Sequence, residues 1–189
     1  MKKIPTVFER DWNGDRSRVV DQVHVGCEWV LAGEGEATRK LDGTCCMVRG
    51  NRLYKRRELR KNEVAPPNFE QADFDAETGK TVGWLPVGEG PEDRYHREAW
   101  TGSDTWPDGT YELLGPKVQG NPERFQHHLL IRHGDKLGPT KPIPDVPRSF
   151  DGLKAWLAGQ DIEGIVFHHP DGRMAKIKLR DFGLKRAHQ

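Results

Sequence analysis

Short strand-forming runs, separated by glycine, proline and asparagine turns, limit the folds open to this chain. The clearest case is Thr44 to Val48, then Arg49-Gly50-Asn51, then Arg52 to Leu59, which predicts a β-hairpin with glycine and asparagine in its turn. A second hairpin, with a Pro-Asp-Gly turn, is predicted within Gly164 to Leu179. Several strands joined by turns, with few helices, predict an α+β fold built on antiparallel sheet.

Other segments complete this prediction. Val19 to Leu31 is rich in β-branched residues and predicts a strand, as do Tyr111 to Leu114 and His128 to Arg132. Ser149 to Leu157 has a helix start signal and the apolar spacing of a short helix. Pro66 to Pro107 is rich in loop-forming dipeptides, and its length predicts a functional insertion or lid.

Composition places the chain among folded proteins. At 189 residues and 34% apolar content, one domain over residues 1–189 is the default, and six tryptophans with seven phenylalanines argue against disorder. No run approaches the roughly 20 apolar residues that a membrane helix needs, and the first residues lack the apolar core of a signal peptide. We therefore expect a soluble, cytoplasmic monomer without a membrane partner. The cysteines, Cys27, Cys45 and Cys46, lack the spacing of a disulfide framework or zinc site.

Charge is distributed unevenly along the chain, although the net charge is only +1. Nine cations against two acids lie between Arg39 and Lys61, the stretch from Glu63 to Glu112 is acidic, and Arg173 to Arg186 is basic again. If the two basic segments meet, they form a surface for a polyanion, and the first hairpin is the best candidate track for it. The alternative is two solvated strand faces.

The sequence Lys40-Leu41-Asp42-Gly43 combines groups that phosphate chemistry uses. A lysine becomes a nucleophile when its amine is held neutral, and nearby cations or burial lower the pKa of a lysine. Asp42 shares the face of Lys40 if the backbone is extended, and Gly43 allows a ligand to approach closely. The alternative is an ordinary surface lysine.

Three later motifs also combine charge with apolar strands. Glu112 is a lone carboxylate in the apolar run Tyr111 to Leu114; burial of an unpaired glutamate is unfavourable, so we expect it to accept hydrogen bonds, for example from a ribose. Glu163 precedes the apolar run of the second hairpin. Lys176 and Lys178 share one strand face by the period of two, and their mutual repulsion favours an anion between them. The alternative for the glutamates is a buried salt bridge.

In this order, K-x-D-G, the basic strand, Y-E-L-L-G, E-G-I-V-F and K-I-K resemble the motifs of the covalent nucleotidyltransferase superfamily. That superfamily comprises ATP-dependent RNA and DNA ligases and messenger-RNA capping enzymes. The chain looks most like small RNA ligases whose lysine motif continues as D-G-T-C-C. The resemblance implies the nucleotidyltransferase fold, antiparallel sheets flanked by few helices with a nucleotide pocket between the sheets. In a departure from DNA ligases and capping enzymes, we expect a single adenylation domain without a C-terminal oligonucleotide-binding domain, because the sequence ends soon after Lys178.

The resemblance also implies a role for each matching residue. Lys40 would attack the α-phosphate of ATP, form lysyl-AMP and release pyrophosphate. Glu112 would hold a ribose hydroxyl, and Glu163 would help to hold Mg²⁺ or Mn²⁺. Arg56 would contact the ribose or the AMP phosphate, with Arg57 as its competitor. The adenine and α-phosphate contacts would come from Val166, Lys176 and Lys178.

The AMP would then pass to an RNA 5′-phosphate, and an RNA 3′-hydroxyl would attack that activated end. Two departures from the family pattern motivate other hypotheses: only His133 offers a ring where an adenine-stacking aromatic is usual, and His168 stands where many ligases have lysine. One alternative is therefore a catalytically inactive nucleic-acid-binding module of the same fold. Another is an adenylyltransferase that acts on a phosphate other than RNA.

Overall fold

The chain forms two compact units, which are considered separately. A computed structural model describes residues 3–76, 78–100 and 106–186. Of these, Lys3 and residues 42–134 belong to unit 1, and residues 4–41 and 135–186 belong to unit 2. The prediction of a single nucleotidyltransferase domain stays a prediction.

Unit 1 is built on an antiparallel sheet. Within the described residues its strand order is β6-β7-β5-β4-β8-β9. The strands are β4 (Thr44–Arg49), β5 (Arg52–Leu59), β6 (Glu70–Asp75), β7 (Lys80–Pro86), β8 (Gly109–Leu114) and β9 (Leu129–Arg132). The predicted hairpin of β4 and β5 is present, and Gly50 and Asn51 form its turn with φ of +57° and +55°, the left-handed region that glycine and asparagine tolerate best.

The prediction that Pro66 to Pro107 is rich in loops is wrong for most of that segment, and its role as a functional insertion or lid stays a prediction. It contains β6, β7 and the helix α2 (Arg94–Ala99), preceded by a 3-10 turn at Pro91–Asp93. Strand β7 adds to the edge of β5 and buries Val82 and Trp84, so tertiary pairing outweighs the local turn signals. Residues 77 and 101–105 of that segment lie outside the described residues.

Side-chain alternation gives the sheet of unit 1 two different faces. On one face, Cys46, Val48, Tyr111 and Leu113 join a buried apolar cluster that includes Ala99 of α2. Neighbouring residues along each strand point the other way, because successive side chains alternate between faces. The opposite face therefore carries Cys45 and Glu112.

Unit 2 contains two antiparallel sheets within the described residues, with strand orders β1-β2 and β10-β3-β11-β12. The strands are β1 (Phe8–Arg10), β2 (Val19–Val23), β3 (Glu36–Lys40), β10 (Pro142–Ile143), β11 (Gly164–His168) and β12 (Met174–Lys178). The helices are α1 (Glu28–Leu31), α3 (Phe150–Ala158) and 3-10 turns at Gly138–Thr140 and Leu179–Phe182.

Sequence predictions for unit 2 hold in part. The second hairpin and the helix α3 are present, and Ser149 caps α3 by accepting a hydrogen bond from the Gly152 N–H at 3.2 Å. The predicted strand over Val19 to Leu31 stops at Val23, because Gly26 turns the chain with φ of +87° and a helix follows.

The core of unit 2 lies on one face of the larger sheet. Ile165, Phe167 and Ile177 are fully buried there together with Leu153 and Leu157 of α3. The other face presents the alternate residues of β3, β11 and β12. No helix in the described ranges combines the length and the apolar character needed to cross a bilayer.

Candidate functional site

Strand register in unit 2 brings Lys40 and Lys178 to either side of one glycine. Gly164 in β11 lies opposite Lys40 of β3 on one side and opposite Lys178 of β12 on the other. A Cβ atom at Gly164 would meet backbone atoms of β12, including Lys178 Cα at 2.8 Å. The glycine therefore allows β12, which carries Lys178, to pair closely with β11.

Glu163 lies between the two ammonium groups. Lys40 Nζ is 2.5 Å from Glu163 Oε2 and also donates to the Leu41 carbonyl oxygen at 3.3 Å. Lys178 Nζ donates to the other carboxylate oxygen, Oε1. The Lys40, Glu163 and Lys178 side chains are only 20%, 12% and 13% exposed, so Lys40 does not extend freely into solvent.

The pKa values in this cluster are shifted because one carboxylate, Glu163, is the counterion of several lysine ammonium groups. Burial works to raise the pKa of Glu163, but attraction and hydrogen bonds from Lys40 and Lys178 outweigh it and the pKa is lowered. Burial and the charge of Lys40 lower the pKa of Lys178 despite its bond to Glu163. Burial, then Lys178 and Lys40, lower the pKa of Lys176 to about 8. The cluster therefore holds excess positive charge.

The next row of the same sheet face carries the predicted adenine and phosphate contacts. Val166 of β11 lies opposite Thr38 on one side and Lys176 on the other, so Val166 and Lys176 share the face of Lys40. His168 follows two residues after Val166, and its Nε2 is 2.9 Å from Thr38 Oγ1. Histidine at this position is thus bonded to the strand that carries Lys40.

Unit 1 holds the other two predicted site residues. Cys45 of β4 lies opposite Glu112 of β8, and the pairing of β4 with β5 places it opposite Arg56 on its other side. Arg56, Cys45 and Glu112 therefore form one row across the sheet. Burial and the charge of Glu112 raise the pKa of Cys45 to about 11, while Arg56 opposes that rise through its charge and a hydrogen bond.

Strand alternation distinguishes Arg56 from Arg57. Arg56 shares the face of Glu112, and its guanidinium carbon lies 5.8 Å from the centre of the Trp84 ring. Arg57 points to the opposite face, is exposed, and forms an ion pair with Glu63 at 2.5 Å. Of the two arginines, Arg56 is the one on the face of Glu112, and its contact with a nucleotide stays a prediction.

Glu112 receives hydrogen bonds from the protein itself. Its Oε1 accepts the Gly43 N–H at 3.1 Å, and its Oε2 accepts from His133 Nε2 at 2.8 Å. The side chain is 10% exposed. Burial of this carboxylate is thus compensated without a ligand, and the contact with His133 was not predicted because it depends on the register of β8 and β9.

Gly43 and Asp42 differ from their predicted settings. A Cβ at Gly43 would clash with β8, meeting Leu113 and Leu114 as well as Glu112 Cγ at 2.9 Å. The missing side chain therefore allows close packing on β8, and the approach of a ligand at Gly43 stays a prediction. Strand β3 ends at Lys40, so the alternation that was to place Asp42 beside Lys40 does not continue; the Asp42 N–H donates to Glu123 Oε1 at 3.3 Å.

Ion pairs neutralise much of the basic hairpin. The partners are Arg49 with Glu70, Lys55 with Asp93, and Arg57 with Glu63. The acidic stretch that follows the hairpin in sequence thus supplies the counterions for these cations. This pairing favours the interpretation of solvated strand faces over that of a free polyanion track.

The charge of the Lys40 cluster suits an anion better than a bare cation. The described residues contain no group of three or more His, Cys, Asp or Glu side chains that could hold a metal ion. Glu163 is a single carboxylate among ammonium groups, whereas Mg²⁺ commonly uses one or two carboxylates together with substrate phosphates. A divalent ion at this cluster would therefore need substrate phosphates for most of its ligands, and Glu163 would be the carboxylate available to it.

Parts of the sequence resemble known proteins. The chain is similar to proteins named RNA ligase 1. It is 32% identical over 81 residues to that of Danio rerio, covering 40% of this chain and 25% of the relative. It is 34% identical over 83 residues to that of Pongo abelii, covering 40% and 24%. An alignment of 226 positions with that of Rattus norvegicus is 25% identical and covers 78% of this chain and 67% of the relative.

The first two similarities are local. The matched part of this chain spans about a quarter of the length of the fish and orangutan proteins. No family model matches the chain. The comparisons thus point to RNA ligases in general.

Proposed function

We propose that this chain is an ATP-dependent RNA ligase that joins RNA 5′-phosphate and 3′-hydroxyl ends through a lysyl-AMP intermediate on Lys40. The observation that carries the proposal is the cluster of Lys40, Glu163 and Lys178 on one sheet face, with Lys176 in the adjoining row. A partly buried lysine held at a site of excess positive charge is suited to meet a triphosphate. The similarity to proteins named RNA ligase 1 supports the same class of substrate.

The first step forms a bond from Lys40 to phosphorus. The neutral Nζ of Lys40 attacks the α-phosphorus of ATP, a P–N bond forms, the bond from the α-phosphorus to the bridging oxygen breaks, pyrophosphate leaves, and the nitrogen releases one proton to water. Lys176 and Lys178 would attract the phosphate oxygens, and Val166 would contact the adenine from the same face. A divalent ion bound with ATP would neutralise phosphate charge, with Glu163 as its protein ligand.

Two further transfers complete the reaction. An oxygen of the RNA 5′-phosphate attacks the phosphorus of lysyl-AMP, the P–N bond breaks, and Lys40 takes up a proton. An RNA 3′-hydroxyl then attacks the 5′-phosphate phosphorus, loses its proton, and displaces AMP. Cations are needed throughout, because each step concentrates negative charge at phosphorus. We assign ribose binding to Glu112 and contact with the ribose or AMP phosphate to Arg56.

The decisive test is transfer of label from ATP labelled at the α-phosphate to the protein in the presence of Mg²⁺ or Mn²⁺. We expect labelling of the native chain and its loss in Lys40→Ala. The matched control is Lys154→Ala, because Lys154 is an exposed lysine of α3, and this variant should label normally. Label that persists in Lys40→Ala would rule out Lys40 as the nucleophile.

A second measurement separates RNA ligation from the alternatives. The labelled protein is mixed with RNA that carries a 5′-phosphate and a 3′-hydroxyl, and the sealed product is measured. Formation of the adduct without sealing would indicate an adenylyltransferase for another phosphate. RNA binding without any adduct would indicate an inactive nucleic-acid-binding module of the same fold.

A further inference from the structure

The imidazole of His133 is fixed between two side chains of β8. Its Nε2 lies 2.8 Å from Glu112 Oε2, and its Nδ1 lies 3.0 Å from Thr110 Oγ1. The pairing of β8 with β9 explains both contacts: Glu112 lies opposite Ile131, and the His133 N–H donates to the Thr110 carbonyl oxygen at 2.9 Å. The position of the ring is therefore set by the backbone of unit 1.

Hydrogen-bonding chemistry assigns a direction to each contact. An ionised carboxylate can only accept, so His133 Nε2 carries a proton and donates it to Glu112. In the neutral ring Nδ1 is then an acceptor, and the Thr110 hydroxyl can donate a hydrogen bond to it. A ring held at both nitrogens has a fixed plane and a fixed tautomer, as in other histidines whose second nitrogen is engaged.

Glu112 is in turn held at both of its oxygens. Oε2 accepts from His133 and Oε1 accepts from the Gly43 N–H at 3.1 Å. Each carboxylate oxygen offers about two acceptor positions. The two contacts from the described residues therefore fix the orientation of the carboxylate and leave acceptor positions for a further donor.

We propose that His133 is a positioning residue that orients Glu112 toward a ribose hydroxyl of ATP, and that His133 does not itself stack on adenine. This inference rests on the proposed function. A fixed acceptor binds a hydroxyl more tightly than a mobile one, because no side-chain freedom is lost when the nucleotide arrives. His133 thus acts on nucleotide selection through Glu112.

A crossed pair of substitutions distinguishes positioning from stacking. His133→Gln keeps an N–H donor near the place of Nε2 and removes the ring, whereas His133→Phe keeps a ring and removes the donor. The assay is covalent labelling of the protein over a range of concentrations of ATP, 2′-deoxy-ATP and 3′-deoxy-ATP. Melting temperatures of both variants establish that they are folded.

Positioning predicts opposite results for the two variants. His133→Gln should need a similar ATP concentration for half-maximal labelling as the native chain. His133→Phe should need about ten-fold more, the change expected on loss of a hydrogen bond to a charged group. One of the two deoxy-ATP analogues lacks the hydroxyl that Glu112 binds. For His133→Phe, the ratio of the concentrations of that analogue and of ATP needed for half-maximal labelling should fall toward one, which a general loss of stability would not cause. The proposal would be overturned if His133→Phe kept the native ATP requirement while His133→Gln lost it. It would also be overturned if both variants kept that requirement or if both lost it.

A measurement without nucleotide separates this inference from the proposed function. Nitrogen NMR shifts of the native protein, taken where the ring is neutral, should show the proton of His133 on Nε2. A proton on Nδ1 would overturn the positioning role even if the protein is labelled by ATP. A native protein that takes no label from ATP, yet shows the Nε2 tautomer, would instead contradict the proposed function.

Discussion

The Nζ atom of Lys40 lies 2.5 Å from Oε2 of Glu163, a residue 123 positions later in the chain. Lys178 occupies the other oxygen of the same carboxylate, so one negative charge is shared between two ammonium groups. A shared carboxylate cannot neutralise both. The site is therefore held together by Glu163 and remains attractive to a further anion.

Replacement of Glu163 by Gln should destabilise the protein. The substitution keeps the shape of the side chain but leaves the ammonium groups of Lys40 and Lys178 without their shared counterion. Removal of one partner from a buried ion pair typically lowers the free energy of unfolding by about 3 kcal/mol or more. Urea unfolding of the variant and the native chain measures the difference. The control is Glu58→Gln, whose exposed pair with Lys80 should contribute less than about 1 kcal/mol.

The contribution of Glu163 should also depend on pH. Its pKa is lowered from the ordinary value of 4.5, so the folded protein favours the ionised carboxylate. The stabilisation is therefore complete above 4.5 and is lost as the pH falls through the lowered folded value. The difference in unfolding free energy between the native chain and Glu163→Gln should shrink over that acidic range. A difference that stays constant would contradict the ion-pair assignment.

Lys176→Met should stabilise the protein at neutral pH. Burial and two neighbouring lysines lower the pKa of Lys176 from 10.5 to about 8, so the charged form is disfavoured in the folded state. A gap of this size corresponds to about 3 kcal/mol, which the uncharged methionine would recover. The same variant should bind ATP more weakly, so ATP should raise its melting temperature less than that of the native chain. A lower unfolding free energy for the variant at neutral pH would contradict this prediction.

The sign of the pH dependence gives Lys176 a separate test. Below a pH of about 8 the ammonium of Lys176 is charged in both the folded and the unfolded chain, and its full unfavourable contribution to the free energy of unfolding is present. Between about 8 and 10.5 the unfolded chain binds the proton and the folded chain does not, so native stability should rise with pH. Lys176→Met should lack that rise. Lys154→Met, at an exposed position on α3, should keep it.

Local sequence signals predicted the parts of this site that depend on short-range order. Gly50 and Asn51 determine the first hairpin, and the period of two in a strand placed Lys176 and Lys178 on one face. The contact of Lys40 with Glu163 could not be derived in this way, because it joins strands that are distant in sequence. The resemblance to ligases, by contrast, indicated Lys40 and Glu163 as site residues but did not predict that they are in contact.

The features that the sequence did not predict share one physical cause. Strand β7 was interpreted as part of a loop because glycine and proline flank it, yet pairing with β5 buries Trp84. Glu112 was expected to accept hydrogen bonds, for example from a ribose, and the source of one of them, the Gly43 N–H, was not foreseen because the chain must fold back to supply it. Non-local pairing decides both outcomes, and single-sequence patterns do not report it.

Arg56 and Arg57 should differ in their effect on nucleotide use. Arg56→Ala removes a cation from the face that carries Glu112 and should raise the ATP concentration needed for half-maximal labelling by about ten-fold, the value for one hydrogen bond to a charged group. Arg57→Ala removes an exposed ion pair with Glu63 and should leave labelling unchanged. The reverse order of effects would place the other face of the sheet toward the nucleotide.

Gly164→Ala should disrupt the cluster through its backbone. The new methyl group would meet Lys178 Cα at 2.8 Å and the Ile177 carbonyl at a still shorter distance, so β11 and β12 must separate. Overpacking of this kind costs about 1–3 kcal/mol or more. It should also reduce labelling, because Lys178 moves relative to Glu163. In the control Gly159→Ala, the added carbon lies 3.5 Å from the Trp156 carbonyl at a φ of −88°, so stability should change by less than about 1 kcal/mol. Equal stability and labelling in both variants would show that close approach of the strands at Gly164 is not what holds the lysines together.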